Sequence, residues 1–278
     1  MKRIDAHQHF WIYNDTDYTW MSSAHGAIRR DFTPEDLSPL LDSIGFDGSV
    51  AVQARQTMEE TEFLLSLADQ SDRVFGVVGW LDLRSERIAD EIARYGANPK
   101  LKGVRHVVHD EPDDDFVLRD SFRRGVRALG PAGLTYDLLL FPRHIPAAIR
   151  LVDEFPNQPF VVDHIAKPPI KDGATEPWAR DIAQLAERPN VTCKLSGMVT
   201  EANRDSWRPE DLYPYIDIVL EAFGASRLMI GSDWPVCTLA GEYKRVMDVV
   251  LNYIAKLSTH EQEMITGGTC MRFYGIEG

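Results

Sequence analysis

The residues best placed to do chemistry stand at 7, 9, 164 and 233. Asp5-Ala6-His7-Gln8-His9 carries two histidines two residues apart. Successive side chains of a strand point to opposite faces, so His7 and His9 share one. Two imidazoles side by side can bind a divalent cation or polarise a carbonyl oxygen. Alone, such a pair reads equally well as two solvated surface histidines. Two other apolar runs, however, end on groups of the same kind: Phe160-Val161-Val162-Asp163 on His164, and Leu228-Met229-Ile230-Gly231-Ser232 on Asp233. A carboxylate closing an apolar run is half-buried, which raises its pKa and suits it to take a proton from water. Asp233 by itself would read better as a helix N-cap or loop carboxylate. Three run ends in agreement point to one site.

Eight short apolar, β-branched runs could position these groups: Arg3 to His7, Gly48 to Ala54, Val74 to Leu81, Leu101 to Val107, Leu134 to Leu140, Phe160 to Ile165, Val191 to Leu195 and Leu228 to Gly231. Each has the length of a buried strand. Helical patterns lie between them. Thr33 caps Pro34-Glu35-Asp36, and Leu37, Leu40, Leu41 and Ile44 form one apolar stripe. Thr57 to Glu60 fits a capping box, Ile88, Ile92 and Tyr95 repeat the stripe after Ser85, and Thr259, Glu261 and Gln262 offer a second box. Alternating strands and helices imply a parallel sheet with right-handed crossovers. The fold class expected is α/β, a (β/α)8 TIM-type barrel forming a single domain over 1–278. No glycine-rich fingerprint follows the first strand, which weakens the open dinucleotide-binding sheet. Long connections, 10–32 and 197–209, leave C-terminal strand ends, where barrels build active sites. The first is rich in aromatics: Trp11, Tyr13, Tyr18 and Trp20.

Further strand-end residues are candidates for binding substrate. Arg105 and His106 have opposite parity, so one of them faces the barrel mouth. Arg105 fits a substrate contact and an ion pair equally well. Gln53 and Trp80 end the second and third strands and could hydrogen-bond to and stack on a ring, although Trp80 could also just fill the barrel. Trp11 joins them from the aromatic connection. Lys194 fits an anchor for Asp163 or a substrate contact, the ion pair being the better reading; His109 reads as a solvated loop residue, and His25, His144 and His260 as surface groups.

The charge balance narrows the partners. The 278 residues carry 30 Lys and Arg against 43 Asp and Glu, a formal charge of −13. That surface repels nucleic-acid phosphates and anionic lipid, which argues against both partners. Cys193, Cys237 and Cys270 are widely spaced and form no CxxC pair, so reduced thiols are expected. Without a signal-peptide pattern or a membrane-length apolar run, the expectation is a cytoplasmic protein.

The chain also resembles the amidohydrolase superfamily, within it the branch of sugar-lactone hydrolases. The resemblance rests on DAHQHFW (5–11), GVVGWLDL (76–83), GVRHVV (103–108), TYDLLL (135–140), VVDHIAKP (161–168), KLSG (194–197), GSDWPV (231–236) and RFYG (272–275), which run in family order along nearly the whole chain. It implies a (β/α)8 barrel, a small-molecule sugar lactone as substrate, and a site built on His7, His9, His164 and Asp233. Two-metal relatives place a lysine on the fourth strand and a histidine on the fifth. Here those strands read Val104-Arg105-His106 and Tyr136-Asp137-Leu138. The resemblance therefore implies no essential cofactor, or a single Zn-like divalent metal with His7, His9, His164 and Asp233 as candidate ligands.

The reaction so implied is attack of water on the lactone carbonyl. Asp233 would be the general base and the histidines would stabilise the oxyanion, with Arg105 or His106 assisting. No GxSxG elbow or Cys-His signature offers a covalent nucleophile. Two other functions fit the fold: metal-dependent decarboxylation of an aromatic acid, and metabolite binding without catalysis.

Overall fold

Each of the eight apolar runs forms a strand in the computed structural model, which describes residues 1–278. The strands are β1 (Ile4–Gln8), β2 (Gly48–Val52), β3 (Val74–Gly79), β4 (Leu101–His106), β5 (Thr135–Leu138), β6 (Phe160–Val162), β7 (Val191–Leu195) and β8 (Leu228–Ile230). They pair in parallel and in sequence order. The ring closes where Gln8 bridges Trp234: the His9 amide donates to Trp234 O (2.7 Å) and the Asp233 amide to His7 O (2.8 Å). This is a (β/α)8 barrel, and its closing seam carries three of the four candidate residues.

Several strands stop short of the apolar runs that announced them. Trp80, Val107, Leu139 and His164 lie past the last ladder bond, where the chain turns outward into loops. Eight helices of eight or more residues pack outside: Pro34–Ser43, Met58–Gln70, Ile88–Tyr95, Asp120–Leu129, Ile145–Glu154, Trp178–Ala186, Pro209–Phe223 and Tyr243–Ile254. The caps hold with two changes. Thr57 Oγ1 accepts from the Glu60 amide (3.2 Å), but the Glu60 carboxylate accepts from the Ala54 amide (2.8 Å) instead of closing the box, which pins the end of β2. At the C-terminus the cap is Ser258, not Thr259, paired reciprocally with Glu261.

The core has two parts. A large apolar shell lies between sheet and helices. A smaller cluster inside the barrel joins Ile4, Ala6, Val50, Val52, Val78, Val161 and Met229 to Cys270, Tyr274 and Ile276. The C-terminal helix Thr269–Tyr274 thus plugs the floor. Burying each large apolar side chain contributes about 1.5–3 kcal/mol, so this floor is a firm base for the polar layer above it. No helix is long and apolar enough to cross a membrane.

A register slip in β1 aims the first histidine. Asp5 pairs with Ser49, but Gln8 pairs with Ala51, so three steps on β1 match two on β2. Such a bulge lets neighbouring residues face the same side. Ala6 joins the interior apolar cluster, and His7 also faces the barrel axis, against Asp163, Lys194 and Arg105. Asp5 points out and ties β1 to β8, accepting from the Ser232 amide (2.8 Å) and hydroxyl (2.6 Å) and from Tyr243 OH (3.2 Å).

Candidate active site

His7, His9, His164 and Asp233 converge at the C-terminal end of the barrel, and all four are buried. Asp233 Oδ1 is the centre of the group. It lies 3.2 Å from His9 Nε2 and 3.9 Å from both His7 Nε2 and His164 Nε2. Its other oxygen, Oδ2, makes no hydrogen bond within the protein.

Each imidazole is held from behind. His9 Nδ1 donates to Val52 O at 2.7 Å. A carbonyl only accepts, so this nitrogen carries the proton. His164 Nδ1 meets Ser196 Oγ at 2.9 Å. His7 Nδ1 lies 3.3 Å from Asp163 Oδ1 and 3.2 Å from Lys194 Nζ. A carboxylate behind a histidine is the arrangement that fixes ring orientation at metal sites.

His164 sits on unusual backbone. His164, Ile165, Ala166 and Lys167 all have positive φ, between 48° and 59°. Left-handed backbone costs roughly 1–2 kcal/mol per non-glycine residue. The turn is held by Trp178 Nε1, which donates to Ile165 O (2.7 Å), and by the Lys167 amide, which donates to His164 O (2.8 Å). Strain retained in this way marks functional sites. Two glycines make room: a Cβ on Gly197, itself at φ +64°, would lie 2.5 Å from His164 Nδ1, and one on Gly231 would lie 2.7 Å from His7 Cβ.

Beneath the histidines lies a buried charge network. Lys194 Nζ bonds Asp137 Oδ2 (2.5 Å) and Asp163 Oδ1 (3.0 Å), and Arg105 Nη1 bonds Asp163 Oδ2 (3.0 Å). Tyr274 OH donates to Asp137 Oδ2 (2.8 Å), linking the C-terminal plug to the site. Lys194 is thus the ion-pair residue expected, with a second acidic partner. Arg105 forms an ion pair: it pairs with Asp163, donates to Gln53 Oε1 (3.1 Å) and also lines the cavity above.

The electrostatics correct one expectation. Burial raises the Asp233 pKa, as expected, but His164, the His9 bond and Lys167 outweigh it, and the net shift is downward. Asp233 is therefore kept ionised, not poised near neutrality. Burial, opposed by Asp163 for His7 and by Asp233 for His164, holds both imidazoles well below their usual range and so unprotonated. Burial also pushes Asp163 up, but Lys194 and His7 prevail and hold it well below the usual carboxylate range.

His7, His164 and Asp233 can hold one cation. Their ligand atoms lie within 4.8 Å of one another. Two unprotonated imidazoles and one carboxylate suit a single Zn-like ion. His9, a candidate from the sequence, stands outside this group. On the far side of His7 the Lys194 ammonium fills the space between Asp137 and Asp163, and a second cation would be repelled there.

The site opens into a cavity of about 660 Å³. Gln53 and Trp11 line it. Trp80 and His106 do not: Trp80 Nε1 meets His106 Nδ1 (3.4 Å), and His106 stacks on Phe116 outside the barrel and pairs with Glu111 (2.7 Å). Parity left one of Arg105 and His106 facing inward, and it is Arg105. Trp80 leaves the ladder and turns away. His109 is not a solvated loop residue; it lines the cavity, and burial with Lys167 and Arg105 nearby pushes it down to about 3. His144 is buried too, its Nδ1 accepting from the Phe141 amide (3.1 Å). Arg55, Lys167 and Trp20 also line the cavity. Only Trp20 had a signal, in the aromatic composition of its loop.

The comparisons with known proteins agree with this geometry. The family described as Amidohydrolase matches residues 4–276. The L-fucono-1,5-lactonase of Burkholderia multivorans is 40% identical over 285 residues, covering 99% of this chain and 96% of that protein. The L-fucono-1,5-lactonase of Burkholderia ambifaria is 43% identical over 288 residues, with the same coverage. A crystal structure of a Burkholderia multivorans amidohydrolase with bound zinc superimposes with a TM-score of 0.96 at 40% identity, covering all of both chains. A barrel closed between His9 and Trp234, with its histidines and aspartate gathered at that seam, and these matches along almost its full length establish that the chain belongs to the amidohydrolase family.

Proposed function

We propose that this protein opens a sugar-acid lactone by attack of water on the lactone carbonyl, with L-fucono-1,5-lactone as the first substrate to test. The observation that carries the reading is the position of Asp233: Oδ1 is held among three imidazoles while Oδ2 is free of protein partners. An ionised carboxylate with one oxygen anchored and one available is a general base aimed at a water. The two lactonases at 40% and 43% identity support the lactone over an aromatic acid or a non-catalytic role.

Asp233 Oδ2 takes the proton as the water oxygen bonds to the carbonyl carbon. The developing oxyanion would face Arg105, whose guanidinium charge lines the cavity and stabilises it. A divalent ion held by His7, His164 and Asp233 would add Lewis-acid polarisation of the carbonyl oxygen. Collapse breaks the bond to the ring oxygen, which takes the proton back from the Asp233–His9 pair. Asp163 holds His7, Ser196 holds His164 and Val52 O holds His9, so the cluster need not reorganise during the step.

The test is acid release from a panel of aldonolactones, followed with a pH indicator on the purified protein and on a chelated sample. Rapid opening of one stereochemical group supports the proposal, and the chelated sample reads the metal's contribution. Opening of no lactone above background refutes it.

A further inference from the structure

Trp20 stands out among the large apolar side chains. Only Met1, Ile12 and Trp20 are exposed, and of these only Trp20, at 40% exposure, lines the active-site cavity. An indole left open to water on a cavity wall is a surface for a ligand with an apolar face. The ring is not loose. Trp11 meets it near-perpendicularly with centroids 6.0 Å apart, and His25 does the same at 5.8 Å. Trp11 is itself fixed, its Nε1 donating to Arg30 O (2.8 Å), and its ring lies nearly parallel to His9 at 6.3 Å. Trp20 is therefore two ring contacts from the site histidine and shares its cavity.

The turn that carries Trp20 is tied to the barrel by charge. Arg55 Nη1 bonds Asp17 Oδ2 (2.9 Å), and Arg55 Nε bonds Glu60 Oε2 (3.0 Å). Glu60 is fully buried and fixes the end of β2 through the Ala54 amide. Tyr18 adds its hydroxyl to Glu60 (3.4 Å), and its ring lies under the Arg55 guanidinium (5.1 Å). Asp17 and Arg55 line the same cavity as Trp20, adding an acceptor and a donor to its wall.

We propose that Trp20 is the platform on which the carbon-hydrogen face of a polyhydroxylated lactone ring stacks, and that Arg55 is the positioning residue that holds it over the site. This rests on the lactonase reading and deepens it to a specificity determinant. A sugar ring presents C–H groups on its faces and hydroxyls at its rim, matching an open indole in a cavity that Asp17 and Arg55 also line. A lactone without hydroxyls would use this wall little.

The experiment compares wild type with W20A, W20F and R55K on L-fucono-1,5-lactone and on δ-valerolactone, and titrates tryptophan fluorescence with L-fuconate. We expect W20A to raise KM for the sugar lactone about threefold to tenfold, with a smaller effect on δ-valerolactone, and W20F to recover most of the loss. R55K should raise KM in the same selective way at an unchanged melting temperature. L-fuconate should quench wild-type emission more than that of W20A. Equal losses on both lactones, or identical quenching with and without Trp20, overturn the inference. If wild type opens no aldonolactone but Trp20-dependent quenching persists, the lactonase reading fails and the stacking platform stands. If neither is seen, both fall.

Discussion

His9 Nε2 lies 3.2 Å from Asp233 Oδ1 while His9 Nδ1 is committed to the Val52 carbonyl at 2.7 Å. Because Nδ1 already carries a proton, the Asp233 contact closes as a hydrogen bond only when a second proton is shared between ring and carboxylate. The pair thus has room for one shared proton between β1 and β8, where the barrel closes. The acceptor behind His9 is a main-chain carbonyl, beyond the reach of side-chain substitution.

Gly197→Ala should damage the site through His164. The position has φ +64°, and its Cβ would lie 2.5 Å from His164 Nδ1. We expect a stability loss of about 1–3 kcal/mol and a fall in kcat larger than the change in KM. Thermal denaturation and steady-state kinetics read both. A variant with wild-type kcat would show that His164 need not keep its place.

Lys194→Met should be strongly destabilising, because Asp137 and Asp163 are fully buried and lose their shared cation. Breaking a buried pair costs about 3–5 kcal/mol. The double variant K194M/D137N should recover part of that loss, as one buried charge goes with its partner. Chemical denaturation of wild type, both single variants and the double variant completes the cycle, and simple additivity would contradict the coupling.

Asp5 sets a pH test. Burial, partly offset by bonds from Ser232, His7 and Tyr243, raises its pKa from 3.8 to about 6. The folded protein then binds this proton before the unfolded chain does, so through this group stability rises as pH falls from about 6 toward 3.8. Asn at this position cannot titrate. The stability difference between wild type and Asp5→Asn should therefore move in favour of wild type between pH 7 and pH 4, by up to about 3 kcal/mol. A difference independent of pH would contradict the assignment. Asp163 and Asp233, both depressed, act in the opposite sense: their stabilisation is complete above the ordinary carboxylate range and is lost only as pH falls below it.

Metal analysis should find no more than one divalent ion per chain. The three ligand candidates form one group, and Lys194 fills the space between Asp137 and Asp163 on the far side of His7. His164→Asn should lower occupancy at a given free zinc concentration by tenfold or more, an order expected even for supporting residues of such sites. Two ions per chain, or unchanged occupancy in the variant, would contradict the ligand set.

The barrel was legible because its signal is periodic: every strand is an apolar run ending near a polar group. His7, His9, His164 and Asp233 were legible because they sit where such runs stop. What failed lies beyond the last ladder bond, where alternation no longer sets direction. Trp80 ends outside the barrel, while His109 and Lys167 turn into the cavity; His106, still paired in β4, faces outward because alternation turns Arg105 inward. The left-handed run from His164 to Lys167 contains no glycine to announce it. The β1 bulge that brings Ala6 and His7 to the same side depends on register with β2, which no local pattern encodes. The sign of the Asp233 shift required its neighbours as well: burial was readable, the surrounding imidazoles and Lys167 were not.

The most direct test of the account is acid release from L-fucono-1,5-lactone by wild type and by Asp233→Asn, with binding of L-fuconate measured on both by calorimetry. The account predicts that the variant still binds the product acid within a few-fold of wild type but loses about 10²–10⁴ in kcat, the span of a lost general base. A variant that binds and turns over like wild type would contradict the role of Asp233, and with it the proposed reaction at the barrel seam.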